Sequence, residues 1–153
     1  MARLNEVVRS AGTNPTATTS VNPTDFAVLL APTTTSGTAV SSSSLQLKSD
    51  LNGDTFNTAS LAAGDVIVTS ENVTIRLDTT TSQIVMVDNT PNGNGTIPIA
   101  DNIRSITFTD PEGASRTNKS IRVQLVAIPS GIVAGDPRYR EVSYTGTIRL
   151  RNR

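Results

Sequence analysis

The sequence predicts an α+β domain in which an amino-terminal α-helix packs on an antiparallel β-sheet, and three observations lead there. The first twelve residues carry apolar side chains at helical spacing. Most of the remaining chain alternates apolar and polar residues, the period of strands with one buried face. The strand-like segments are joined by short turns rich in Pro, Gly, Asp and Asn, which favours antiparallel neighbours over parallel crossovers. With 153 residues, 36% of them hydrophobic, the chain suits a single domain with a single core.

In "MARLNEVVRSAG" (1–12), Leu4, Val7, Val8 and Ala11 share one helical face, while Arg3, Glu6 and Arg9 lie off it. So short a helix is marginal in water without a surface to cover its apolar side. Burial against a sheet would contribute about 1.5–3 kcal/mol for each fully covered large side chain. Gly12 is a suitable stop, and the Thr, Pro and Asn residues over 13–24 read as an extended connector to a β-rich head over 25–153.

"FAVLLA" (26–31) reads as a strand or a short helix, and "PTTTSGTAVSSSS" (32–44) as an exposed low-complexity loop. "SLQLK" (44–48) places Leu45 and Leu47 on one side. "NVTIRLD" (72–78) does the same with Val73, Ile75 and Leu77, and pairs with "QIVMVD" (83–88) as a hairpin. "NIRSITFTD" (102–110) runs into "DPEG", whose proline and glycine suit a type I turn. "IRVQLVA" (121–127) turns Ile121, Val123, Leu125 and Ala127 inward and Arg122 and Gln124 outward. "SYTGTIRLR" (143–151) closes the set with Tyr144, Ile148 and Leu150 inward.

Composition excludes several chemistries. Without cysteine there are no disulfides, thiolate metal sites or thiol nucleophiles, and without histidine there is no Ser-His-Asp triad or imidazole-ligated metal. Thirteen basic and thirteen acidic residues cancel, so net charge predicts attraction to neither nucleic acid nor an anionic membrane. The longest apolar run, Phe26 to Ala31, is far shorter than the roughly 20 residues of a membrane-spanning helix. The start carries no basic and apolar leader pattern.

Taken in order, "EVVRSAG", "LQLKSDLNGD", "NVTIRLD", "IADNIRSITFTDPEG", "IRVQLVAI" and the terminal "TIRLRN" resemble the globular head of a type IV minor pilin of the PilW-like group, with the J-type pseudopilins of type II secretion close behind. The resemblance spans nearly the whole chain except its loops. It implies a pilin-like fold and a non-enzymatic subunit acting in pilus assembly or priming at the inner membrane, facing the periplasm, and later in an extracellular filament. Its implied partners are other pilins or pseudopilins, and the membrane through an apolar half-helix that this chain lacks. Residues 1–12 would then be the membrane-distal end of one long helix, with Arg3, Glu6 and Arg9 left for pairs with neighbouring subunits, the head reading either as cut free of its anchor with Met1 an added start or as a subunit whose helix is encoded separately. No small-molecule substrate is implied, and cell adhesion or protein secretion is the setting. A reading of another class is a freestanding β-rich binding or virion module that contacts glycan or protein through a loop.

Three features carry candidate chemistry. Asp50, Asn52 and Asp54 occupy positions 1, 3 and 5 of a calcium loop, but glycine stands at position 4 and Leu61 at position 12. The pattern is therefore incomplete, and the same residues make an ordinary Asn-Gly turn; any Ca²⁺ there would be structural. Arg149 and Arg151, with Arg153 beyond them, form a basic stripe suited to an acidic face of a neighbouring subunit or to keeping a sheet edge solvated. The lack of interleaved aromatics disfavours nucleic acid. Ile132, Val133 and Tyr139 lie in a Pro- and Gly-shaped connection and either tuck onto the sheet or form a subunit contact. Asp101, Asp110, Glu112 and Asp136 sit near turns, which attract aspartate for conformational reasons, so no enzyme activity is expected.

Overall fold

The computed structural model describes residues 27–49, 72–89, 95–113, 120–131 and 136–149. They contain ten strands: β1 (Ala27–Leu29), β2 (Thr33–Ser36), β3 (Ala39–Ser42), β4 (Ser44–Lys48), β5 (Asn72–Asp78), β6 (Gln83–Asp88), β7 (Thr96–Ala100), β8 (Ile103–Asp110), β9 (Ser120–Ala127) and β10 (Val142–Arg149). These build two five-stranded sheets, ordered β1-β4-β5-β6-β7 and β10-β9-β8-β3-β2, with antiparallel pairing throughout.

This corrects the expected fold class. Strands hold 67% of the described residues, none of which lies in an α-helix, and the architecture is two antiparallel sheets in place of an α+β domain with a helix on one sheet. The physical reason is that a period of two reveals that a strand has one buried face without revealing what covers it. Here Leu45, Leu47, Val73, Ile75, Ile84 and Met86 of the first sheet join Ile103, Ile106, Phe108, Ile121, Val123, Leu125 and Ile148 of the second in one buried cluster. Residues 1–12 and the connector over 13–24 lie outside the described residues.

Residues 32–44 are corrected as well. In place of a loop they contain the whole β2–β3 hairpin, because Thr and Val are good strand formers and Gly37, at φ +62°, supplies the left-handed turn residue that a two-residue hairpin loop requires. Nothing in the sequence reading marks β7, whose central Pro98 hides it. Proline cannot donate to a ladder and is tolerated here because β7 is an edge among the described strands. Expected "FAVLLA" contributes the short strand β1.

The chain changes sheets between β1 and β2 and again between β3 and β4, and the two crossings are tied together. Ser42 Oγ donates to the Leu30 carbonyl and accepts from Ser44 N–H at 3.1 Å, while Leu30 N–H donates to Ser44 O at 3.0 Å. These bonds satisfy backbone groups that would otherwise be stranded where strands leave one sheet for the other. Asp110 does the same at the end of β8. Its buried carboxylate accepts from Glu112 N–H and Gly113 N–H, each at 3.1 Å, which fixes the turn that "DPEG" forecasts.

Candidate functional site

Directly paired residues of antiparallel strands share a face. In β9, Ile121, Val123 and Leu125 point to the core, so their partners Ile148, Gly146 and Tyr144 in β10 point the same way. The opposite face of this sheet is polar. A row runs across all five strands through Thr34, Ser41, Thr109, Arg122 and Thr147, and Ser41 and Thr109 share a hydroxyl hydrogen bond of 2.8 Å. Gln124 lies between Thr107 and Thr145 in the next row.

The β8–β9 ladder shifts register between Ile103 and Ser105, leaving Arg104 as the extra residue of a bulge. That bulge explains why Ile103 and Ile106, three positions apart, are both buried while Arg104 and Ser105 are both exposed. Aimed outward, the Arg104 guanidinium donates to Glu141 Oε1, just ahead of β10. Glu141, chiefly through that hydrogen bond, holds Arg104 above its ordinary pKa. The Tyr139 hydroxyl donates to the same oxygen at 3.2 Å, and partial burial followed by the carboxylate's influence pushes its pKa up.

Upstream, Asp136-Pro137-Arg138-Tyr139 is a closed turn, with Tyr139 N–H donating to Asp136 O at 2.8 Å. Asp136 also accepts from the Arg138 backbone at 2.8 Å and from its guanidinium at 3.1 and 2.8 Å. The Arg138 side chain is the main reason that the Asp136 carboxyl lies below its ordinary pKa. Arg140 Nη1 caps the Pro137 and Tyr139 carbonyls at 2.9 and 2.8 Å. Both arginines are thus engaged locally.

Arg122 and Arg149 differ from these. They are exposed on the outer face, diagonally placed on β9 and β10, and neither forms an ion pair with a described residue. Beside them β10 is the last strand of its sheet among the described residues. On its core side Val142 and Tyr144 remain 66% and 42% exposed, the large hydrophobic side chains left open among the described residues. Tyr144 folds along its own strand over Gly146, its hydroxyl 2.7 Å from where a Cβ on that glycine would sit.

Of the residues singled out in the sequence, the structure places Tyr139 beside Glu141 and Arg149 at the end of β10. Arg3, Leu4, Glu6, Val7, Val8, Arg9, Ala11, Asp50, Asn52, Asp54, Ile132, Val133 and Arg151 lie outside the described residues. The sequence reading misses Arg104, Glu141 and Val142 as surface features. It orients Arg122 outward without joining it to Arg149, since that requires the strand register. Among the described residues no three acidic side chains gather as metal ligands, and no helix is long and apolar enough to cross a membrane. Among the described residues, this arginine and hydroxyl face beside β10 offers a binding surface. No family model, curated protein or solved structure matches the chain.

Proposed function

We propose that the chain is a non-enzymatic structural subunit of a bacterial type IV filament, a minor pilin that takes part in starting or capping the pilus at the inner membrane. The observation that carries the reading is the ordered run of segments resembling minor-pilin motifs, of which "NVTIRLD" is strand β5, "NIRSITFTD" contains β8, "IRVQLVA" covers most of β9, and "TIR" of the last segment ends β10. The exposed side of β10, with Val142, Tyr144, Arg122 and Arg149, supports it by supplying a surface through which a subunit can contact its neighbours. Role in a J-type pseudopilus of type II secretion is the variant of the same reading.

Deleting the gene in its host and counting surface filaments tests this, with secretion assayed in parallel. Loss of pili, restored by the gene, is expected of a minor pilin, and loss of secretion with intact pili assigns the pseudopilin role. Normal pili and normal secretion reject both.

A second reading, a freestanding β-sandwich binding or virion module, is favoured by one observation: the described core is drawn from two facing sheets. Recovery of the protein in purified virions, or free in the medium without filaments, would assign it.

A further inference from the structure

The two sheets have four edges among the described residues, and three of them are blunted. β1 has three residues, β2 has four, and β7 has five with Pro98 at its centre and a register break in its pairing with β6. Short strands, proline and bulges are the devices by which sheet proteins discourage further strand addition. β10 uses none of them. Its eight residues contain no proline and pair with β9 without a break from Val142 to Arg149. Pleat geometry directs the N–H and C=O groups of alternate residues away from β9, so half of the strand's backbone groups point to the open side.

The side chains along that edge define what would fit beside it. On the core side, exposed Val142 and Tyr144 continue the apolar surface beyond the covered core. Opposite, Ser143, Thr145, Thr147 and Arg149 alternate with them, with Arg122 one strand in, so this face is polar and cationic. β10 contains no acidic residue, and Glu141 just ahead of it is engaged by Arg104 and Tyr139, so a second copy of the strand is poorly suited to pair with Arg122 and Arg149. A different strand can satisfy both faces at once.

We infer that β10 is a strand-addition site whose partner is an extended acidic peptide segment, alternating apolar residues set against Val142 and Tyr144 with carboxylates set against Arg122 and Arg149. Backbone hydrogen bonds would supply affinity and the two alternating faces would supply choice of partner. The inference concerns what this edge binds and does not need the filament reading: the isolated protein tests the edge, whereas the gene deletion tests the filament.

The test titrates a fluorescent peptide of alternating valine and glutamate, as long as β10, into the full chain and follows anisotropy. Saturable binding is expected, weakened about tenfold in the Arg122→Glu/Arg149→Glu double variant, two exposed charges that the core does not need. The double variant should in turn prefer the valine–lysine peptide. N-methylation of the alternate amides on one edge of the peptide should abolish binding, which separates strand addition from attraction between charges. No saturable binding overturns the proposal, as does equal affinity for the glutamate and lysine peptides, or undiminished binding of the N-methylated one. A β10-mediated homodimer that excludes the peptide would also overturn it, by replacing the acidic partner with a second copy.

Discussion

Arg104 donates to Glu141 from one side of β9 to the other, joining the bulge in β8 to the residue that precedes β10. Both side chains are accessible to water, so the pair adds little to global stability. Its consequence is local, since it ties down the start of an edge strand. Arg104→Ala should leave the melting temperature nearly unchanged while speeding amide hydrogen exchange at Val142 and its neighbours. Measurement by NMR checks this, and unaltered exchange there would show that β9 pairing alone holds the strand.

Gly113 should tolerate no side chain. Its φ is +56°, and a Cβ there would lie 2.3 Å from the carbonyl oxygen of Thr38, a backbone atom that cannot swing aside. Left-handed strain alone costs about 1–2 kcal/mol, with overpacking added to it. Gly113→Ala is expected to destabilise the fold by at least about 2 kcal/mol in urea unfolding, whereas Gly37→Ala, with open space around it, should cost only the conformational part.

Phe108 is fully buried in β8, the strand that the first sheet faces. Phe108→Ala should cost about 3–5 kcal/mol. Phe108→Leu, which keeps most of the apolar volume, should cost much less. Equal and small effects in chemical denaturation would contradict a closed interface between the sheets.

Acid should weaken the fold through two turns. Asp78 lies below its ordinary pKa of 3.8 chiefly because the Thr80 backbone N–H donates to it, and Asp136 chiefly because of Arg138. A lowered folded-state value means that the unfolded chain binds protons more readily in acid. The associated stability is therefore present above pH 3.8 and lost as pH falls through the folded values. Thermal melts from neutral to acid pH check the sign, and Asp78→Asn should flatten the acid slope.

How much of this was legible in the sequence varied with the physics of each segment. β4, β5 and β6 have the bounds that their sequences predict: apolar residues recur at every second position in β4 and β5, and β6 is a short apolar run, Ile84 to Val87, between polar ends. β2 and β3 are hidden by Ser and Thr, which suit a loop as well as a strand, and β7 by Pro98. The bulge at Arg104 is written in "IRSI", where two inward isoleucines stand three apart, although its partner Glu141 is 37 positions away and only the fold brings it near. The turn role of Asp110 follows from "DPEG". The exposure of Tyr144 does not follow from alternation, which turns the residue inward correctly but is silent on where the opposing sheet stops covering β10.

Residue-by-residue amide hydrogen exchange along β10 reports directly on the open edge. An open edge predicts slow and fast amides in strict alternation from Val142 to Arg149, the slow ones bonded to β9 and the fast ones facing water. Uniformly slow exchange would mean that another strand already occupies that edge, and uniformly fast exchange that β10 is not part of the sheet.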